Sequence, residues 1–154
     1  MLKLSNRGIY GIKALYELAL YFGEGPVSIR SISERHGLPT PFLEQVLHAL
    51  KQGGLVKSRR GINGGYMLSR PPREITIGDA VRTLEGPIAL CDCLQNTGRA
   101  ETGERMKHCV TSTMYSRLSG MVERAFDTFT LADLAEQPVE TAVGGTCNER
   151  AQTL

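Results

Sequence analysis

Three cysteines, Cys91, Cys93 and Cys109, fall in or beside one polar stretch, with His108 next to the last and Cys147 further on. Thiolates are soft donors, and an irregular segment can wrap an iron–sulfur centre or a zinc ion. The spacing is C-x-C, then fifteen residues, then Cys, which is not the paired C-x2-C unit of zinc sites. On spacing alone, plain reduced cysteines and a thiol redox pair stand beside metal binding as readings. The second chemistry-bearing stretch is Arg59-Arg60-Gly61-Ile62-Asn63-Gly64-Gly65-Tyr66, two guanidiniums on a glycine-rich hairpin tip. Guanidiniums pair with phosphates and enter narrow minor grooves. Catalysis has little to stand on. Cysteine with His108 would give a nucleophile and a base, but no oxyanion hole or nucleophile elbow accompanies them. No Gly-Lys-Ser or Gly-Lys-Thr follows the glycines, so they do not form a phosphate-binding loop.

The hairpin must be held by what precedes it. Ile9, Ile12, Leu15, Tyr16 and Ala19 recur at helical spacing over about 7–22, and Gly23 with Gly25-Pro26 ends that helix. Ser28 caps a short second helix that buries Ile29 and Ile32 and stops at Gly37, a turn residue free to take positive φ. Thr40 is expected to cap a third helix with Pro41 at its first position. There Leu43, Val46, Leu47 and Leu50 make an i, i+3, i+4, i+7 stripe. Glu44, Gln45, His48 and Lys51 then point outward, as the residues of a recognition helix would. Strands over 56–59 and 66–69, with Asn63-Gly64 as turn chemistry, form a wing. The order helix, turn, helix, basic hairpin predicts a mainly α fold with a small β wing, a winged helix-turn-helix suited to double-stranded DNA.

Thr76 and Asp79 have capping-box spacing for a helix over 76–85, closed by Gly86-Pro87. Positions 90–108 show no periodicity, and so long a loop is usually functional or mobile. Beyond it, Val110, Met114, Leu118, Met121, Val122, Ala125 and Phe129 lie on one face of a long helix. That face predicts a homodimer, which suits two-fold operator sites. Thr130 starts one further short turn or helix. The domains expected are 1–75, a winged helix-turn-helix for DNA; 76–137, the cysteine loop and dimerisation helix; and 138–154, a disordered tail. Charge divides in the same way. Residues 1–74 hold 11 Lys or Arg against 5 Asp or Glu, and residues 75–154 hold 7 against 11. A basic half suits phosphates, and the acidic half must do something else. No secretion signal or membrane-spanning apolar run is visible, so a cytoplasmic protein with reduced cysteines and no membrane partner is expected.

Taken together, these residues resemble the iron–sulfur cluster regulator family of IscR, NsrR, RirA and CymR. The matching features are Leu4-Ser5, Ile32-Ser33-Glu34-Arg35, Leu43-Glu44-Gln45, Gly54-Leu55-Val56, Arg60-Gly61 with Gly64-Gly65-Tyr66, Ile77-Gly78-Asp79-Ala80-Val81, and the cysteine loop leading into a long helix. The resemblance spans about 1–137. It implies a dimeric winged-helix transcription regulator in which Glu44 and Gln45 contact bases and Arg60 enters the minor groove. Ser28, Thr40, Pro41 and His48 on the helices, and Arg59, Asn63 and Gly64 on the wing, complete the expected DNA contacts. The resemblance also implies a [2Fe-2S] or [4Fe-4S] cluster on Cys91, Cys93 and Cys109. The fourth ligand would come from His108, solvent, a small thiol or the partner subunit.

The chain departs from that pattern in three places. The middle cysteine of the family's set has no counterpart, Ser112 replaces a histidine found in some members, and Gly8 replaces an acidic ligand. Some relatives hold no cluster and answer instead to an enzyme of cysteine synthesis or to thiol oxidation. That alternative keeps the fold and changes the signal.

Overall fold

In the computed structural model, residues 4–88, 90 and 111–136 are described. Helix α1 (Asn6–Leu20) starts at Ser5, whose Oγ accepts from Gly8 N–H. Helix α2 (Ile29–His36) is capped by Ser28, whose Oγ accepts from Ser31 N–H at 3.1 Å, and ends on Gly37 at φ 62°. Both caps follow from a hydroxyl placed just ahead of the first helical turn. Helix α3 (Thr40–Gln52) begins differently from expectation. Pro39 occupies the cap position, Pro41 lies within the first turn, and no side chain caps the helix. Thr40 does not cap α3 because its hydroxyl donates to Ser33 Oγ at 3.1 Å, a partner from α2 that a local reading of the sequence could not supply.

The apolar stripe of α3 lands in the core as expected: Leu43, Val46, Leu47 and Leu50 are buried. They pack with Leu15 and Leu18 of α1, Ile32 of α2, Leu55 just ahead of the hairpin and Leu68 within it. Strands β1 (Val56–Arg59) and β2 (Gly65–Leu68) pair antiparallel in the register Val56–Leu68 to Arg59–Gly65. The second strand lies one residue earlier than periodicity predicted. The cause is again a distant partner. Val27 and Tyr66 exchange two backbone hydrogen bonds at 2.8 Å, which draws Gly65 into the ladder. A Cβ on Gly65 would lie 2.3 Å from Val27 O, so this approach requires glycine.

After a 3-10 turn (Pro72–Glu74), helix α4 (Ile77–Glu85) opens with the full Thr76/Asp79 capping box. Ala80 and Leu84 of α4 join the same core as α1 and α3. Helix α5 (Ser112–Thr128) packs chiefly on α4, and helix α6 (Leu131–Glu136) returns to α1. The return is stitched by Ile77 N–H to Phe129 O at 2.8 Å and Leu131 N–H to Ile75 O at 2.9 Å, with Leu131 wholly buried. No helix among the described residues is long and apolar enough to cross a membrane. The expected disordered tail, 138–154, and the cysteine-bearing positions lie outside the described residues.

A charged chain links the hairpin to α5. Arg70 donates to Asp79 at 3.2 Å, Arg82 reaches Asp79 at 3.3 Å, and Arg82 grips both oxygens of Asp127 at 2.6 and 3.2 Å. Gly78 makes the approach possible, because a Cβ there would lie 2.0 Å from Asp127 Oδ1. Partial burial pushes the Asp79 carboxyl upward. Hydrogen bonds from Thr76 N–H, Arg82 and the Thr76 hydroxyl, with the charge of Arg70, outweigh that and hold it below the ordinary carboxylate range. A carboxyl depressed on folding stabilises the native state above its unfolded value of about 3.9, and that contribution drains away as pH falls through the lower folded value. Asp79→Asn should therefore lower the urea midpoint at pH 7 and lose less than the parent between pH 5 and pH 3. Parallel curves for the two proteins across that range would refute the assignment.

Candidate nucleic-acid interface

One face of the molecule gathers α3 and the hairpin. Burial of Leu43, Val46, Leu47 and Leu50 leaves Glu44, Gln45, His48 and Lys51 exposed along the opposite side. The axis of α3 is fixed near its start by Phe42, whose ring meets Tyr10 of α1 edge-on, with centroids 5.4 Å apart. It is fixed near its end by Lys51 Nζ, which donates to Ser58 Oγ of β1 at 2.7 Å. A polar row on a rigidly seated helix is what base-edge reading in a major groove needs.

The hairpin supplies the second half. Gly64 N–H donates to Gly61 O at 2.9 Å, closing a turn with Ile62 and Asn63 at its centre. A Cβ on Gly64 would lie 2.4 Å from Arg59 O, so the tip is as tight as its glycines allow. Arg59 and Arg60 are exposed, and neither forms an ion pair among the described residues. Four other arginines are occupied: Arg30 by Glu34, Arg35 by Glu17, and Arg70 and Arg82 by aspartates. Cations left free on a projecting hairpin keep their full attraction for phosphate.

The helix-turn-helix is braced from behind by a carboxylate. Glu17 of α1 is only 3 % exposed and pairs with Arg35 and with His36 Nε2, the latter at 3.2 Å. Arg35 also donates to the Tyr21 hydroxyl and lies 4.8 Å from that ring's centre. A buried carboxylate with two partners at the end of α2 sets the angle of α2 on α1, because swinging α2 away would remove both and strand it desolvated.

Of the positions picked out in the sequence, Glu44, Gln45 and His48 line one shared concavity, and Arg59, Arg60, Asn63 and Gly64 share the wing. Ser28, Thr40 and Pro41 lie at helix starts, where the hydroxyls of Ser28 and Thr40 already engage Ser31 N–H and Ser33. Two side chains were missed. Ile29 of α2 and Tyr66 of β2 complete the concavity, which measures about 440 Å³. Only the Val27–Tyr66 bridge brings them together, and no local pattern announces it. Ile62 at the wing tip is fully exposed, and the sequence pattern gives it no role beyond its place on the hairpin.

Cys91, Cys93, Cys109 and His108 fall outside the described residues. Among those that are described, no cluster of three or more metal-ligating side chains occurs. The flanks of the cysteine segment are described: Leu90 N–H donates to Ser119 Oγ at 3.1 Å, and Thr111 precedes the first turn of α5. Both flanks therefore rest on the same helix, eight residues or about 12 Å apart along its axis.

The profile of the Rrf2 family, described as an iron-dependent transcriptional regulator, matches residues 4–137. The HTH-type transcriptional regulator CymR of Bacillus subtilis is 39% identical over 134 residues, covering 87% of this chain and 90% of its own. The solved structure of CymR, the global cysteine regulator of B. subtilis, superposes with a TM-score of 0.70 at 41% identity, covering 88% of this chain and 97% of that one. IscR of T. potens superposes with a TM-score of 0.70 at 40% identity, covering 94% and 93%.

If α3 and the wing divide the work as placed, their variants will fail differently. Glu44→Ala and Gln45→Ala should change which bases are selected from a random duplex library. Arg60→Ala should weaken binding on the order of tenfold, most where an A·T-rich minor groove flanks the site. Equal losses on selected and scrambled duplexes for all three would contradict the division.

Proposed function

The chain belongs to the Rrf2 family of winged-helix transcriptional regulators, and from that membership we propose a homodimer that reads a two-fold DNA site and answers to an iron–sulfur cluster. The observation that carries the DNA reading is the pairing of an outward polar row on α3 with a wing whose arginines form no ion pair among the described residues. The exposed side chains of α5 support the dimer. Met114, Leu118 and Met121, with Phe129 just beyond the helix, are 40–59 % exposed and recur on one side of it. So much apolar surface on one long helix favours burial against a second copy.

The donor set supports the cluster. Three thiols with a neighbouring histidine suit an iron–sulfur centre, and the segment that carries them starts and ends on α5. Cys91, Cys93 and Cys109 would hold the group, which when bound supplies a redox-active inorganic centre. The chain's own part is transmission. A group held by those cysteines would bear on α5 through Leu90, whose N–H donates to Ser119 Oγ. Helix α5 bears on α4 through Asp127 and Arg82, and Asp79 hands the contact to Arg70 beside the wing. A shift of α5 thus alters both the spacing of two reading heads and the seat of each wing.

Likeness to the cysteine regulator CymR favours a second reading. In that reading this chain holds no cluster and responds to an enzyme of cysteine metabolism or to thiol oxidation.

Protein purified without oxygen should contain iron and acid-labile sulfide, lose both in Cys93→Ala, and change its DNA affinity when they are removed. Absence of iron and sulfide, with capture of an enzyme of cysteine metabolism, would decide for the second reading. For the dimer, Met121→Glu should shift the sedimenting species to a monomer and weaken operator binding about 100-fold or more, the gain normally conferred by linking two sites. An unchanged dimer would exclude α5 as the interface.

A further inference from the structure

We propose that the cleft between α3 and the wing seats the sugar–phosphate strand between the two grooves, with His48 and Tyr66 donating hydrogen bonds to one phosphate. This rests on the DNA-binding reading above and adds the ligand of a specific cavity. When a helix occupies a major groove and a wing the adjacent minor groove, one backbone strand must run between them. In this protein the space available to that strand is the concavity lined by Ile29, Glu44, Gln45, His48 and Tyr66.

The lining fits a backbone better than a base edge. Tyr66 is partly buried and its main chain is locked to Val27, so its ring has a fixed seat. Neither the Tyr66 hydroxyl nor the His48 ring makes a hydrogen bond among the described residues. Two open donors thus line one cleft from facing elements. Ser58 is the cross-strand partner of Tyr66, so their side chains share a face of the hairpin. Lys51 Nζ, bound to Ser58 Oγ, places a full positive charge on that face. Ile29 offers an apolar contact of the kind a deoxyribose ring accepts. Glu44 lies one turn earlier on α3 and repels phosphate, so it marks the base-facing end of the cleft, where a carboxylate can accept from a cytosine amino group. His48 and Tyr66 are therefore positioning contacts that fix register and carry no sequence information.

The test uses the full chain, a duplex selected from a random library, a scrambled duplex, and copies of the selected duplex bearing a single methylphosphonate. Tyr66→Phe and His48→Ala should each weaken both duplexes by the same factor, about tenfold, as expected for a lost hydrogen bond to a charged oxygen. Repeat selection with each variant should return the parent's base preference. One methylphosphonate on the strand between the contacted grooves should abolish the difference between Tyr66→Phe and the parent. Tyr66→Phe keeps the ring and its packing, so a loss is not a loss of fold. A changed base preference in either variant, or parental affinity in Tyr66→Phe, overturns the assignment. Failure of the parent itself to bind duplex DNA in a salt-sensitive way overturns the regulator reading beneath it.

Discussion

Two backbone hydrogen bonds between Val27 and Tyr66 set the geometry of the DNA-facing surface. A two-stranded hairpin is marginal on its own, and β1 and β2 run only four residues each. Pairing with Val27 ties the hairpin to the residue just ahead of the Ser28 cap, so wing and α2 move as one piece. The bond needs a backbone without a side chain at Gly65. From it follow the place of Tyr66, the depth of the cleft beside α3, and the reach of Arg59 and Arg60 beyond it.

The rest of the molecule holds that surface at a defined angle. Leu43, Leu47 and Leu50 bury the inner side of α3, and Lys51 with Ser58 ties its end to the wing. Behind them the Asp79 carboxylate serves at once as helix cap, partner of Arg70 and partner of Arg82. A group with three simultaneous roles couples the segment after the hairpin to α4, and through Arg82 to α5. Apolar contacts tolerate sliding; a bidentate guanidinium grip such as Arg82 on Asp127 does not.

Features set by neighbours in the sequence were readable from it. The α3 stripe, the Ser28 cap, the Gly37 stop and the Thr76/Asp79 box each depend on residues within one or two helical turns, and each lies where the pattern placed it. Features set by distant partners were not. Thr40 has the chemistry of a cap, yet Ser33 claims its hydroxyl. Gly65 belongs to β2 because Val27 pairs with its neighbour. Gly78 and Asp127, 49 positions apart in the chain, meet without any local signal. In the candidate site the same division holds. Glu44, Gln45 and His48 follow from helical period, whereas Ile29 and Tyr66 come from the other two walls of the cleft.

Leu131 fills the core wholly, alongside Leu15 of the first helix, although it lies after the long α5. The reading head consequently cannot be excised as a simple N-terminal fragment. A truncation ahead of Leu131 would open a leucine-sized void under α1 and free the main-chain carbonyl of Ile75, a penalty of several kcal/mol against a small domain's modest reserve. The polypeptide closes on itself only after α5, so the reading head and that long helix are inherited together and cannot be separated by cutting the chain.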